Sequence, residues 1–134
     1  MPFLLVRPEP NGQKGEPPEG DYRFDYWLGD DLVGSPPALL VTDRLRVALE
    51  ALRPAPGFRF EPARVAASAF FRRSNPKREL PAFWLWRFEG RAGVDDAGLL
   101  AGRDLVVSGR VFAALLSGRL EQAEIVQFRP PVGT

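Results

Sequence analysis

The sequence predicts an α+β fold in a single domain, and three observations predict it. A stretch that starts as a buried strand and continues as an amphipathic helix occurs twice, at Ala38 to Leu52 and at Leu105 to Leu116; the copies align without a gap from Leu39/Leu105 to Leu49/Leu115. The runs flanking these copies alternate apolar and polar side chains with the period of two that marks half-buried strands. The chain has 134 residues, 45 % hydrophobic and 11 % aromatic, which is the size and composition of one domain with a core of its own. The expected arrangement is one domain, 1–134, built from two pseudo-repeated strand-helix-strand units at about 29–65 and 94–130, with additional strands.

Phe3 to Val6 is a short apolar run ended by Pro8, a first strand. Arg7 to Gly20 has Pro, Gly and charge but no apolar side chain, and reads as an exposed loop. Asp21 to Leu28 alternates in part, with Tyr22, Phe24, Tyr26 and Leu28 on one face if extended. Gly29-Asp30-Asp31 makes a turn, and Gly34-Ser35-Pro36-Pro37 breaks the chain again. In the first copy Thr42 stands at the N-cap position, where a side-chain oxygen can accept a first-turn N–H. Leu45, Ala48, Leu49 and Leu52 then form one stripe, and Pro54, Pro56 and Gly57 stop the helix.

Gly57 to Val65 alternates Phe58 and Phe60 with Arg59 and Glu61, and Pro62 favours an edge strand or a bulge. Ala66 to Phe71 is ambiguous between strand and short helix, and Arg72 to Glu79 is a basic turn around Asn75-Pro76. Phe83 to Phe88 is a strand with apolar side chains on both faces, so both should be covered. Gly90 to Gly102 reads as a loop carrying Asp95-Asp96. In the second copy Ser108 is the cap, Val111, Phe112, Leu115 and Leu116 face inward, and Glu124 to Phe128 is a last strand. Further out, Phe58 to Pro62 matches Val126 to Pro130 in pattern, allowing two inserted residues.

Composition excludes several chemistries. Eighteen basic and seventeen acidic side chains leave a net charge of +1, so no global field draws in nucleic acid or an anionic membrane; a charged partner must meet a local patch. With no cysteine there is no disulfide or thiolate chemistry, and with no histidine the commonest general base and metal ligand are missing. No Walker loop, GxGxxG, zinc spacing or Ser-His-Asp set is present, so the expectation is no enzyme, no cofactor and no bound metal. The N-terminal run lacks the basic region of a secretory signal, and no apolar run approaches a membrane span, which makes a soluble cytoplasmic protein the default.

Four constellations are candidates for contact with a partner. Asp30-Asp31 and Asp95-Asp96 could touch a partner or a cation, or could simply shape turns through local backbone bonds. Arg72, Arg73, Lys77 and Arg78 are the one dense basic patch, suited to an acidic protein or to no partner at all; neutral net charge opposes nucleic acid. Trp27, Trp84 and Trp86 could form a ligand-stacking surface, but all three lie in strand-like runs, which favours core or interface packing. Arg44 and Arg110 sit two residues after the cap in each copy, where a cation opposes the helix dipole. Their recurrence suggests a specific partner, the Asp-Asp turn of the same half or the other, as against coincidence in an Arg-rich chain.

Tyr26 to Val33 (YWLGDDLV), Leu40 to Leu45 (LVTDRL), Gly57 to Val65 (GFRFEPARV) and Leu105 to Arg110 (LVVSGR) together resemble immunity protein family eleven of bacterial polymorphic toxin systems. The resemblance covers most of the chain from about Asp21 onward. It implies a cytoplasmic protein that binds and neutralises one cognate toxin, encoded nearby, through a non-catalytic interface, with no nucleic-acid or membrane partner. It supplies no catalytic residues. The expected surface is the Asp30-Asp31, Asp95-Asp96 or Arg72 to Arg78 turns. A homodimer is left open, as are a regulatory or scaffolding module and a small carboxylate-dependent enzyme.

Overall fold

The computed structural model describes residues 3–10, 21–54 and 56–129, and over these the fold is α+β. Ten strands and three helices are described: β1 (Phe3–Arg7), β2 (Tyr22–Phe24), β3 (Leu32–Ser35), β4 (Ala38–Thr42), α1 (Asp43–Glu50), β5 (Phe58–Ala63), β6 (Val65–Ala67), α2 (Ala69–Ser74), β7 (Phe83–Phe88), β8 (Ala97–Leu100), β9 (Asp104–Ser108), α3 (Gly109–Leu116) and β10 (Glu124–Phe128). Most of the expected Arg7 to Gly20 loop lies outside the described residues.

Two antiparallel sheets have the same topology. The central sheet runs β3-β4-β7-β5 and the terminal sheet runs β8-β9-β1-β10. In each, a hairpin leads into a helix and the chain returns as an edge strand, leaving a gap of one strand. That gap is filled from the other half of the chain: β7 enters between β4 and β5, and β1 enters between β9 and β10. β1 (FLLVR) and β7 (FWLWR) carry the same residue at their first, third and fifth positions. Phe3 pairs with the cap residue Ser108 as Phe83 pairs with Thr42. The registers set Phe60 opposite Trp86 and Ile125 opposite Val6, so the return strands correspond three residues away from the match that the Phe58 to Pro62 pattern suggests.

One core fills the space between the sheets and helices. Leu39, Val41 and Trp86 of the central sheet and Val6, Leu105 and Val107 of the terminal sheet meet Leu45 and Leu49 of α1 and Val111 and Leu115 of α3. The opposite face of the central sheet is covered as well, by a layer of β2, β6 and α2, where Phe24 and Phe71 pack on Leu40, Phe83 and Leu85. β7 is therefore apolar on both faces because both are buried.

Several elements differ from expectation. Only Tyr22–Phe24 of the Asp21 to Leu28 run is extended, since β2 has a single, parallel partner in β6. The Gly90 to Gly102 loop contains β8, which buries Ala97 against β9. Ala66 to Phe71 splits into the end of β6 and the start of α2, capped by Ser68, whose hydroxyl accepts from the Phe71 N–H at 3.1 Å. Leu116 is exposed, because α3 turns Val111 and Leu115, with the partly buried Phe112 and Ala114, toward the core. Thr42 occupies the N-cap position of α1 but its side chain makes no cap bond, and its hydroxyl donates to another acceptor.

Candidate functional site

That acceptor is Asp31. Thr42 Oγ1 donates to Asp31 Oδ1 at 2.6 Å, and Arg44 closes a two-point pair on the same carboxylate, Nε to Oδ1 at 2.9 Å and an NH2 nitrogen to Oδ2 at 2.7 Å. The arrangement recurs at Asp96, which accepts from Ser108 Oγ at 2.7 Å and from Arg110 at 2.8 and 2.6 Å. In both places the backbone N–H of the cap residue also donates to the aspartate's own carbonyl, at 2.9 and 2.7 Å. Each aspartate thus ties the end of a strand to the first turn of the following helix. Arg44 and Arg110 are each held by the acidic turn of their own half, which answers the unfavourable placement near a helix N-terminus.

These bonds set the protonation of the two carboxyls. Burial works against ionising Asp31, but the Arg44 pair, the Arg119 N–H and the Thr42 hydroxyl outweigh it and hold the group below the usual aspartate range. At Asp96 the Arg110 pair leads, and the direction is again downward.

The Asp30-Asp31 turn is therefore not the outward charge expected of it. Asp30 is 0 % exposed, and its carboxylate accepts the backbone N–H groups of Glu121 and Gln122 at 3.0 and 2.8 Å. Asp31 is buried too, with the Arg119 N–H on Oδ2 at 2.5 Å. Neither carboxylate can meet a partner, because each satisfies backbone donors that burial would otherwise orphan. Asp96 is half-buried in its own pair, and Asp95, exposed, accepts from the Arg91 N–H at 2.7 Å.

The basic candidates lie on the opposite footing. Arg72 and Arg73 close the last turn of α2, where the helix dipole favours cations, and Lys77 and Arg78 follow in a turn. Backbone bonds from Asn75 N to Phe71 O at 2.8 Å and from Arg78 N to Asn75 O at 3.1 Å hold that turn. All four cations are exposed, and among the described residues Arg72, Arg73 and Lys77 have no ion-pair partner. Arg78 stacks on Trp27, 4.6 Å from the ring centroid; the indole is fixed from below by its N–H bond to Asp30 O at 2.8 Å and by an edge contact with Phe83.

Sequence reasoning missed the apolar member of this surface. Phe70 is 54 % exposed on α2 while its neighbour Phe71 is buried, so the helix presents an aromatic ring beside Arg73. The Ala-Phe-Phe-Arg-Arg run held this signal once it was read with a helical period. Trp27 also lines a groove of about 300 Å³ with Gly29, Asp31, Thr42, Asp43, Arg44, Pro81 and Ala82. The basic corner outside that groove can attract and order carboxylates around an apolar anchor.

Glu9 is a second feature the sequence hid, since it falls in the supposed exposed loop. It is 2 % exposed, its backbone bridges to Val33, and its Oε1 accepts the Leu28 N–H at 2.5 Å. Oε2 has no partner among the described residues. Burial pushes this carboxyl up, the Leu28 bond works against that, and nearby Asp30 adds to the rise. A raised carboxyl is what a carboxylate enzyme would need, and this one is buried. Among the described residues no three Asp or Glu side chains are placed to hold a metal ion. No described helix is long and apolar enough to cross a membrane. No family model, no curated protein and no solved structure matches this chain.

Proposed function

We propose that this chain is a cytoplasmic immunity protein that binds one cognate toxin and blocks it without catalysis, using the corner formed by Phe70, Arg72, Arg73, Lys77 and the Arg78-Trp27 stack. The observation that carries this reading is the contrast between the two kinds of charge. The buried aspartates are consumed in internal bonds, while Arg72 and Arg73 at the end of α2 and Lys77 in the turn after it have no ion-pair partner among the described residues and lie beside an exposed aromatic ring. A rigid, unpaired basic patch with a central apolar anchor suits an acidic protein surface, and it speeds encounter as well as holding the complex. The resemblance to immunity family eleven supports a toxin as that partner.

The test is co-expression with the product of the adjacent gene. Rescue of growth and co-purification of a complex are expected from the natural chain, with rescue weakened by Arg72→Glu/Arg73→Glu/Lys77→Glu. The triple charge reversal should raise the dissociation constant by about tenfold or more. A neighbour that is harmless and does not bind would move the regulatory or scaffolding reading to first place, and full binding by the triple variant would remove this surface.

A further inference from the structure

Two arginines far apart in the sequence are brought together over one glycine. A Cβ on Gly29 would stand 3.0 Å from Nη1 of Arg119 and 3.4 Å from Nη2 of Arg78, so the absent side chain leaves a notch with a guanidinium nitrogen at each wall. Gly29 has φ +109, a conformation that favours glycine, which keeps the notch open. It is also one of the residues that line the groove beside Trp27.

Each arginine is positioned by contacts that leave its notch-facing donors unused. The Arg119 backbone exchanges two bonds with Asp31, its N–H donating to Oδ2 at 2.5 Å and its carbonyl accepting the Asp31 N–H at 2.8 Å. Its Nε and Nη2 turn to Glu121, at 3.1 and 2.9 Å, and Nη1 meets no acceptor among the described residues. Arg78 rests on the Trp27 ring, and its side-chain N–H groups meet no acceptor among the described residues either. The nearby carboxylates are engaged elsewhere. Asp30 takes the N–H groups of Glu121 and Gln122, and Asp31 takes Thr42, Arg44 and the Arg119 N–H. Two guanidinium groups this close repel each other, and an anion lying between them relieves the repulsion while satisfying both sets of donors.

We propose that the notch over Gly29 receives a carboxylate side chain of the acidic protein that meets the basic corner, one oxygen bonding to Arg78 and the other to Arg119. This rests on the reading of that corner as the partner-facing surface. It adds a residue from the other half of the chain, since Arg119 follows α3 whereas the rest of the corner belongs to α2 and the turn after it. Charge selects a carboxylate over a phosphate. Arg119 already shares its charge with Glu121, and the buried Asp30 is the neighbour of Gly29, so the notch offers donors for two oxygens but compensation for only one negative charge.

NMR of the arginine Nε–H groups in the full chain tests this, with circular dichroism melting to confirm that each variant folds. The probe is a tetraglutamate peptide, acetylated and amidated so that only side-chain carboxylates are offered. It should shift the Arg78 and Arg119 signals saturably and leave Arg110, already held by Asp96, unmoved. Arg119→Gln keeps the backbone bonds to Asp31 and should raise the dissociation constant of the peptide about tenfold, while Arg103→Gln, in the exposed β8–β9 turn, should not. At matched ionic strength acetate should displace the peptide at least as well as inorganic phosphate does. An Arg119 signal that stays still, peptide binding indifferent to Arg119→Gln, or stronger displacement by phosphate overturns the proposal. Co-expression with the adjacent gene separates it from the immunity reading. Toxin binding at full strength by Arg119→Gln removes the notch and leaves that reading standing, whereas a neighbour that does not bind, with the peptide still titrating Arg119, removes the toxin and leaves the notch.

Discussion

Asp31 and Glu9 are both buried carboxyls, and they act on stability with opposite signs. Asp31, like Asp96, is held below its unfolded value by an arginine pair, so its contribution is present above the ordinary aspartate range and is lost as pH falls through the lowered folded value. Glu9 is raised by burial, so ionising it penalises the folded state; the penalty is full above the raised folded value and is relieved as pH falls through it. Glu9→Gln keeps an acceptor for the Leu28 N–H and removes the charge. Urea unfolding should therefore show the variant more stable than the natural chain at neutral pH, with the gain gone below the ordinary glutamate range of about 4.3. A variant less stable than the natural chain at neutral pH would show that ionised Glu9 is a net support.

At the scale of the element, the hairpin of β3 and β4 depends on close backbone approach. Gly34 has φ +105, and a Cβ there would strike the carbonyl oxygen of Ala38. Its N–H is the donor that fastens the Glu9 segment across the β3 edge. Gly34→Ala thus combines left-handed strain with a steric clash and should destabilise by about 2 kcal/mol or more. The companion Gly102→Ala also has a positive φ, but nothing lies within 4 Å of the added methyl, so it should cost only the conformational part, about 1 kcal/mol. Equal losses in chemical denaturation would mean that the Ala38 contact is not what Gly34 serves.

The whole molecule is coupled by the exchange of first strands. β1 is an interior strand of the sheet formed by the C-terminal half, and β7 is an interior strand of the sheet formed by the N-terminal half, so neither sheet can close on its own segment alone. Val6→Ala removes buried methyl groups from β1, far in sequence from Trp84 and Trp86 on β7. It should destabilise by about 1 to 2.5 kcal/mol, and tryptophan fluorescence should register the same shift in midpoint as amide exchange on β9. Separate midpoints would mean that the two sheets unfold independently despite their interleaving.

Local chemistry was enough to determine the fold class, the two strand-to-helix stretches and the cap positions, because apolar periodicity, Ser or Thr caps and proline stops act within one or two turns of chain. β4, α1, β7, β9, α3 and β10 were legible for that reason. The sequence also suggested that Arg44 and Arg110 had a fixed partner, without saying which acid it was. Only the tertiary structure decided which carboxylates are outward, since the burial of Asp30 and Asp31 comes from the 119–122 segment folding over them from the other half of the chain. It likewise decided that β1 and β7 are exchanged, that Glu9 is buried and that Phe70 is exposed beside the cations. These depend on contacts between residues far apart in sequence, whose geometry no local periodicity encodes.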